Sequence, residues 1–190
     1  MLGSLVALHI YLSTLQQTKL SLTIPPSYVI FNSMDLLQQY INYDVDVLEG
    51  HTLEYDTGGW TRYGLTSKYD NLTKEELEVM TPEQAKQIYY QKLKPIYDKL
   101  IEETNNPYLA IYYLDTVNLQ GESVAKQMLL FAQQHPDVDV QLARALYWRM
   151  QKLYDLGEAS PYHKYQNGWL KRVAVLYALI MRWKDELATG

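Results

Sequence analysis

Leu37, Ile41, Val45 and Leu48 recur at spacings of four, four and three, an apolar stripe that predicts a helix over residues 34–49. Glycines then interrupt the pattern at 50, 58, 59 and 64, and helices tolerate glycine poorly. Residues 51–66 are therefore predicted as a hairpin or loop, with Thr57-Gly58-Gly59-Trp60 as its turn and a short strand over 61–66. Helical signals return at Thr73, a cap ahead of Lys74-Glu75-Glu76, and again at Thr81-Pro82-Glu83-Gln84. The second start combines a threonine cap, proline at the first helical position and a glutamine placed for a capping box. Its helix is predicted over 82–103, with a bend at Pro95. The next helix, 108–118, is apolar on most sides and should be buried, which makes its Asp115 conspicuous. Further helices are predicted over 122–134, over 138–156 with Gly157 as the stop, and over 168–187. The pattern as a whole predicts an α+β fold, predominantly α, with one small β-hairpin.

Length and composition narrow this picture. A chain of 190 residues is within the range of one domain and long enough to bury its own core. Pro25-Pro26 cannot continue a helix and predicts a boundary between an N-terminal appendage, 1–26, and a main domain, 27–190. The first seventeen residues are uncharged and fairly apolar but lack the basic start of a signal peptide and are short for a membrane span. They read as an arm packed on a partner or as an extended terminus. The absence of cysteine excludes a disulfide framework and a thiolate zinc site, and the scattered histidines predict no metal site. A net charge of −5 with no basic run longer than two residues argues against nucleic acid and against an anionic membrane surface. Eighteen tyrosines against two phenylalanines suit either a tyrosine-built core or a groove in which sugar faces stack on rings.

Candidate chemistry gathers at the glycine break. Glu49 falls in the last turn of the first helix beside Val45 and Leu48, and Asp56 lies in the glycine-rich turn. Cleaving a glycosidic bond needs a proton for the leaving oxygen and a negative group or activated water on the other face. Two carboxyls in different environments meet that need, one in apolar surroundings and one more open to water. The same pair also reads as a solvated helix end followed by an ordinary turn.

The segment resembles the active-site signature of phage-type muramidases of the lysozyme superfamily in Glu49-Gly50, Leu53, Tyr55-Asp56-Thr57, Gly59 and Thr61. Residues Gly58-Gly59-Trp60-Thr61-Arg62-Tyr63-Gly64-Leu65-Thr66 are more similar to glycoside hydrolase family 108. Leu114-Asp115-Thr116-Val117-Asn118-Leu119-Gln120-Gly121 and Asn167-Gly168-Trp169-Leu170-Lys171-Arg172-Val173 resemble two later stretches of that family, in family order. His51 and Thr52 stand where the family carries glycine and tyrosine. The resemblance implies a lysozyme-like helical domain with the hairpin at its active site, and N-acetylmuramidase activity on the glycan strand of peptidoglycan. It implies Glu49 as proton donor, Asp56 as charge stabiliser or activator of water, and Thr61 as the holder of that water. No cofactor is implied. The implied setting is a bacteriophage lysin or a murein hydrolase on the virion, acting at the host periplasm or cell wall. A virion structural or adaptor protein on the same scaffold, binding without cleaving, is the alternative, with other virion proteins as partners of the N-terminal segment.

Other positions carry two readings each. Asp115 and Asn118, three apart on one helix, are either a buried polar pair or, as the resemblance implies, the border of a substrate cleft. His51 is a cleft-lining or solvated side chain. Trp60 and Tyr63 either stack on sugar or cover the core. Trp169 and Arg172 are predicted to pack the last helix against the lobe that carries Glu49, and Trp148 and Trp183 to lie in the core.

Overall fold

The computed structural model describes residues 36–56, 59–158 and 162–189. The expected appendage, 1–26, and its boundary lie outside the described residues. What is described is mostly helical with a small antiparallel sheet, in line with the class expected from the pattern. Helix α1, Leu36–Tyr43, opens this body and buries Leu36, Leu37, Tyr40, Ile41 and Tyr43. Its last stretch, Asp44–Leu48, widens into a π turn, and the chain leaves it at Glu49 in an extended conformation.

Three short strands follow: β1, Glu54–Asp56; β2, Gly59–Arg62; and β3, Leu65–Thr66. They pair antiparallel in the order β1-β2-β3. The expected single strand over 61–66 is thus two strands joined at Tyr63-Gly64. Both turn residues have positive φ, 53° and 73°, the left-handed pair that lets a two-residue hairpin follow the twist of its strands. The sequence offers Gly64 for this turn but no Asn or Asp before it, so the turn was not legible. The expected turn residues Thr57 and Gly58 lie outside the described residues. Arg62 ties the sheet to the next helix by donating to the backbone oxygens of His51, Leu77 and Glu78.

Helices α2, Lys74–Val79, and α3, Pro82–Thr104, start at Thr73 and Thr81, each with a full capping box. Helix α3 runs through Pro95 as one element, with the bounds expected from the pattern to within a residue. A proline in a helix interior costs about 3 kcal/mol, and the buried row Ala85, Tyr89, Leu93, Tyr97 and Leu100 offsets it.

Helix α4, Pro107–Gln120, buries every residue from Leu109 to Thr116, as its apolar pattern predicted. It is the centre of the core, packed against α1, α3, α5 (Glu122–Ala132), α6 (Val138–Glu158) and α7 (Gln166–Thr189). Gly157 does not stop α6 but lies inside its final turn. A Cβ there would come within 2.4 Å of the Gln166 side chain, so close approach to the start of α7 is what requires glycine. A short 3₁₀ turn, Tyr162–Tyr165, leads into α7.

Candidate functional site

The π turn decides how Glu49 is presented. In an α-helix, residues five apart lie about 140° apart around the axis. Here the Glu49 N–H donates to the Asp44 carbonyl at 2.9 Å, the five-residue bond of a π turn, which brings Asp44 and Glu49 nearly into line. Both carboxyls then meet one guanidinium from α7. Arg172 donates through Nη1 to Glu49 Oε1 at 2.6 Å and through Nη2 to Asp44 Oδ1 at 2.9 Å.

The same guanidinium reaches the conspicuous aspartate of α4. Arg172 Nε and Nη2 donate to Asp115 Oδ1 at 3.2 and 2.8 Å. Asp115 Oδ2 accepts from Arg149 Nη2 of α6 at 2.8 Å, and both side chains of that pair are fully buried. Arg149 also donates to Gln120 and lies 4.7 Å from the centre of the Tyr112 ring. The Tyr40 hydroxyl donates to Asp115 Oδ1 at 3.4 Å. Three carboxyls therefore face two guanidiniums, and one proton on the cluster would balance its charge.

The environments of the two buried aspartates differ. Burial pushes Asp44 well above the usual carboxylate range; Arg172 opposes this, while Glu49 and Asp115 add to it. Asp44 Oδ2 has no hydrogen-bond partner among the described residues, a position that a neutral carboxyl tolerates better than a charged one. For Asp115, burial also favours the neutral form, but Arg172 and Arg149 outweigh it and hold the group below the usual range. Burial likewise raises the hydroxyls of Tyr40 and Tyr89, so both stay neutral.

The β2–β3 turn closes on Glu49 from the other side. Tyr63 N–H donates to the Gly50 carbonyl at 2.7 Å. A Cβ on Gly64 would come 2.5 Å from the Tyr89 hydroxyl and 2.7 Å from Glu49 Cδ. Only glycine fits there, so the turn rests directly on the Glu49 side chain, which keeps 20% exposure. Glu49 thus faces a guanidinium and a glycine turn rather than the apolar surroundings expected from Val45 and Leu48. Val47 is exposed and Leu48 half-buried.

The other candidate residues are distributed along the sheet. Asp56 pairs across from Gly59 at the far end of β2, about 10 Å by strand rise from the Glu49 end. Its side chain lies outside the described part of the structure. Thr61 sits between the two ends, half-buried, opposite Glu54 on one strand and Thr66 on the other. His51 is exposed, with Nε2 3.1 Å from the Val45 carbonyl and its ring 5.3 Å from that of Tyr63. Tyr63 is buried, so of its two readings the structure has it covering the core. Trp60 is half-buried, with Tyr55 edge-on at 5.3 Å and the Lys74 ammonium 4.6 Å from its ring.

Asp115 and Asn118 do not share an environment. Asp115 is sealed in the core between two arginines, while Asn118 is exposed. Trp183 is buried and Trp148 half-buried. Trp169 stacks on Tyr165 at 5.6 Å, and Arg172, three residues on, does reach the end of α1. Asp44, Tyr89 and Arg149 escaped the sequence reading. Arg149 had one available signal: it continues the buried row Leu142, Ala145, Leu153 of α6, where an arginine needs an acid. No group of three or more acidic or histidine side chains is placed to hold a metal among the described residues. Compared with protein-family models, curated proteins and solved structures, the chain matches none.

Proposed function

We propose that this chain is a lysozyme-like peptidoglycan hydrolase, a muramidase, with Glu49 as its proton donor and Asp56 and Thr61 serving the opposite face of the bond. One observation carries the reading: a glutamate at a helix end is held against a glycine turn, at one end of a strand whose other end pairs with Asp56 and whose middle carries Thr61. A glycosidic bond spanning that strand would have the acid at one end of it, with Thr61 and the backbone position of Asp56 toward the other. The resemblance of these same residues to phage muramidases supplies the substrate class, the glycan strand of a bacterial cell wall, and the virion or host cell wall as the setting.

A second reading has its own support. The Glu49–Arg172 ion pair at 2.6 Å is also what a purely structural tie between α1 and α7 looks like, and it suits a non-cleaving virion protein on this scaffold. Clearance of exposed cell walls separates the two. Wild type should clear them, and Glu49→Gln should be slower by about two to four orders of magnitude, since glutamine keeps the shape and an acceptor for Arg172 but gives no proton. Equal clearance by both proteins removes Glu49 from the chemistry. No clearance by folded wild type favours the structural protein.

A further inference from the structure

We propose that Asp44 is a positioning residue for Glu49: the π turn stacks the two carboxyls, Arg172 grips both, and the protonation of one acid is thereby coupled to that of the other. The catalytic part rests on the hydrolase reading above; the coupling of the two acids does not.

The geometry runs in three steps. First, a π turn is a local departure from the more favourable α geometry, and it persists where surrounding contacts hold it. Without it, Asp44 and Glu49 would point away from each other, and one side chain could not bind both. Second, Arg172 divides its nitrogens, Nη1 to Glu49 and Nη2 to Asp44, so a change of charge on either acid is felt by the other through a shared, 14% exposed cation. Third, Asp44 has one orphan oxygen and no second cation, so it is the member of the cluster best able to hold a proton. The groups facing Asp44 are Tyr40 from α1, Tyr89 from α3, Asp115 from α4, Arg172 from α7 and Glu49 from its own turn. Arg149 of α6 lies behind Asp115, and Lys86 of α3 is engaged with Asp46. Among these only Arg172 brings positive charge directly to Asp44. The raised titration of Asp44 that burial produces, with Glu49 contributing, agrees with this arrangement.

Two measurements test it. In the first, the side-chain carboxyl carbon of Asp44 is followed by NMR through an acid titration of wild type and Glu49→Gln. Replacing the neighbouring acid should lower the Asp44 midpoint by about one pH unit; superimposable curves overturn the proposal. In the second, wall clearance is measured against pH for wild type and Asp44→Asn. The profile of the variant should be displaced by about one pH unit while a bell or sigmoid shape is kept; coincident profiles from an active wild type overturn the role in cleavage. If Asp44→Asn fails to fold, the first measurement decides alone. If wild type clears no walls but the NMR coupling is present, the hydrolase reading fails and the acid pair stands.

Discussion

Asp115 and Asp44 are equally hidden from solvent and touch the same arginine, yet their titrations are displaced in opposite directions. Asp115, in the middle of α4, engages both oxygens, with Arg149 on one and Arg172 on the other. Asp44, at the start of the π turn, engages one oxygen and leaves the other alone. Burial penalises both charges alike; the number of guanidiniums decides whether the penalty is overcome. One end of the network is therefore a fixed ion pair that holds helices together. The other is a site where a proton can reside, and it is the end next to the half-open Glu49.

The largest test of this contrast is at Arg149. Arg149→Met removes the second cation from Asp115 and should destabilise the protein by about 3–5 kcal/mol, read by denaturant unfolding at neutral pH. It should also make Asp115 behave like Asp44, with its titration moving up. A loss below about 1 kcal/mol would mean that Arg172 alone compensates Asp115, and that the contrast has another origin.

Neutralising each aspartate should give opposite pH dependence. Asp115→Asn should likewise cost about 3–5 kcal/mol at pH 7, because it leaves the buried Arg149 facing no carboxylate. The folded-state titration of Asp115 is depressed, so its contribution is present above the unfolded carboxylate range, near pH 4, and fades as pH falls through the folded value. The folded-state titration of Asp44 is raised, so its contribution is present below about pH 4 and is lost as pH rises through the folded value. Asp44→Asn should cost at most about 1 kcal/mol at low pH and should gain on wild type as pH rises. Unfolding curves collected across that range for the three proteins check both signs; parallel profiles would erase the distinction between the two sites.

The smallest effect is expected at Asn118, on the same helix as Asp115 but facing solvent. Asn118→Ala should change stability by no more than about 0.5 kcal/mol in thermal unfolding. A large loss would place Asn118 in the buried network after all.

Much of the scaffold was legible because its signals are local. Thr73 and Thr81 cap helices through bonds made within three residues, and the buried run of α4 follows from its own apolar sequence. Asp115 announced itself as an acid in an apolar helix. Its cations did not, because they come from 34 and 57 residues away and nothing local selects them. The π turn was invisible for a different reason. The stripe Leu37, Ile41, Val45, Leu48 is satisfied over one turn by either α or π geometry, and tertiary contacts choose between them. The Tyr63-Gly64 turn places a tyrosine at positive φ, where composition argues against it. Glu49 and Asp56 stood out at the glycine break, their roles and that of Thr61 came from resemblance, and the ion pair at Glu49 and the Gly64 contact came from neither.

The span of Arg172 also bears on how the chain acquires its shape. Its partners Glu49 and Asp44 are 123 and 128 residues earlier in the sequence, so these contacts are among the least local in the molecule. Closing so long a loop is entropically slow, and during synthesis helix α1 emerges well before residue 172 exists. Until α7 docks, Asp44 and Glu49 lack their arginine, and the hydrogen-bond and charge pattern that favours the π turn is incomplete. Assembly of the acid pair therefore waits on the docking of α7 against α1.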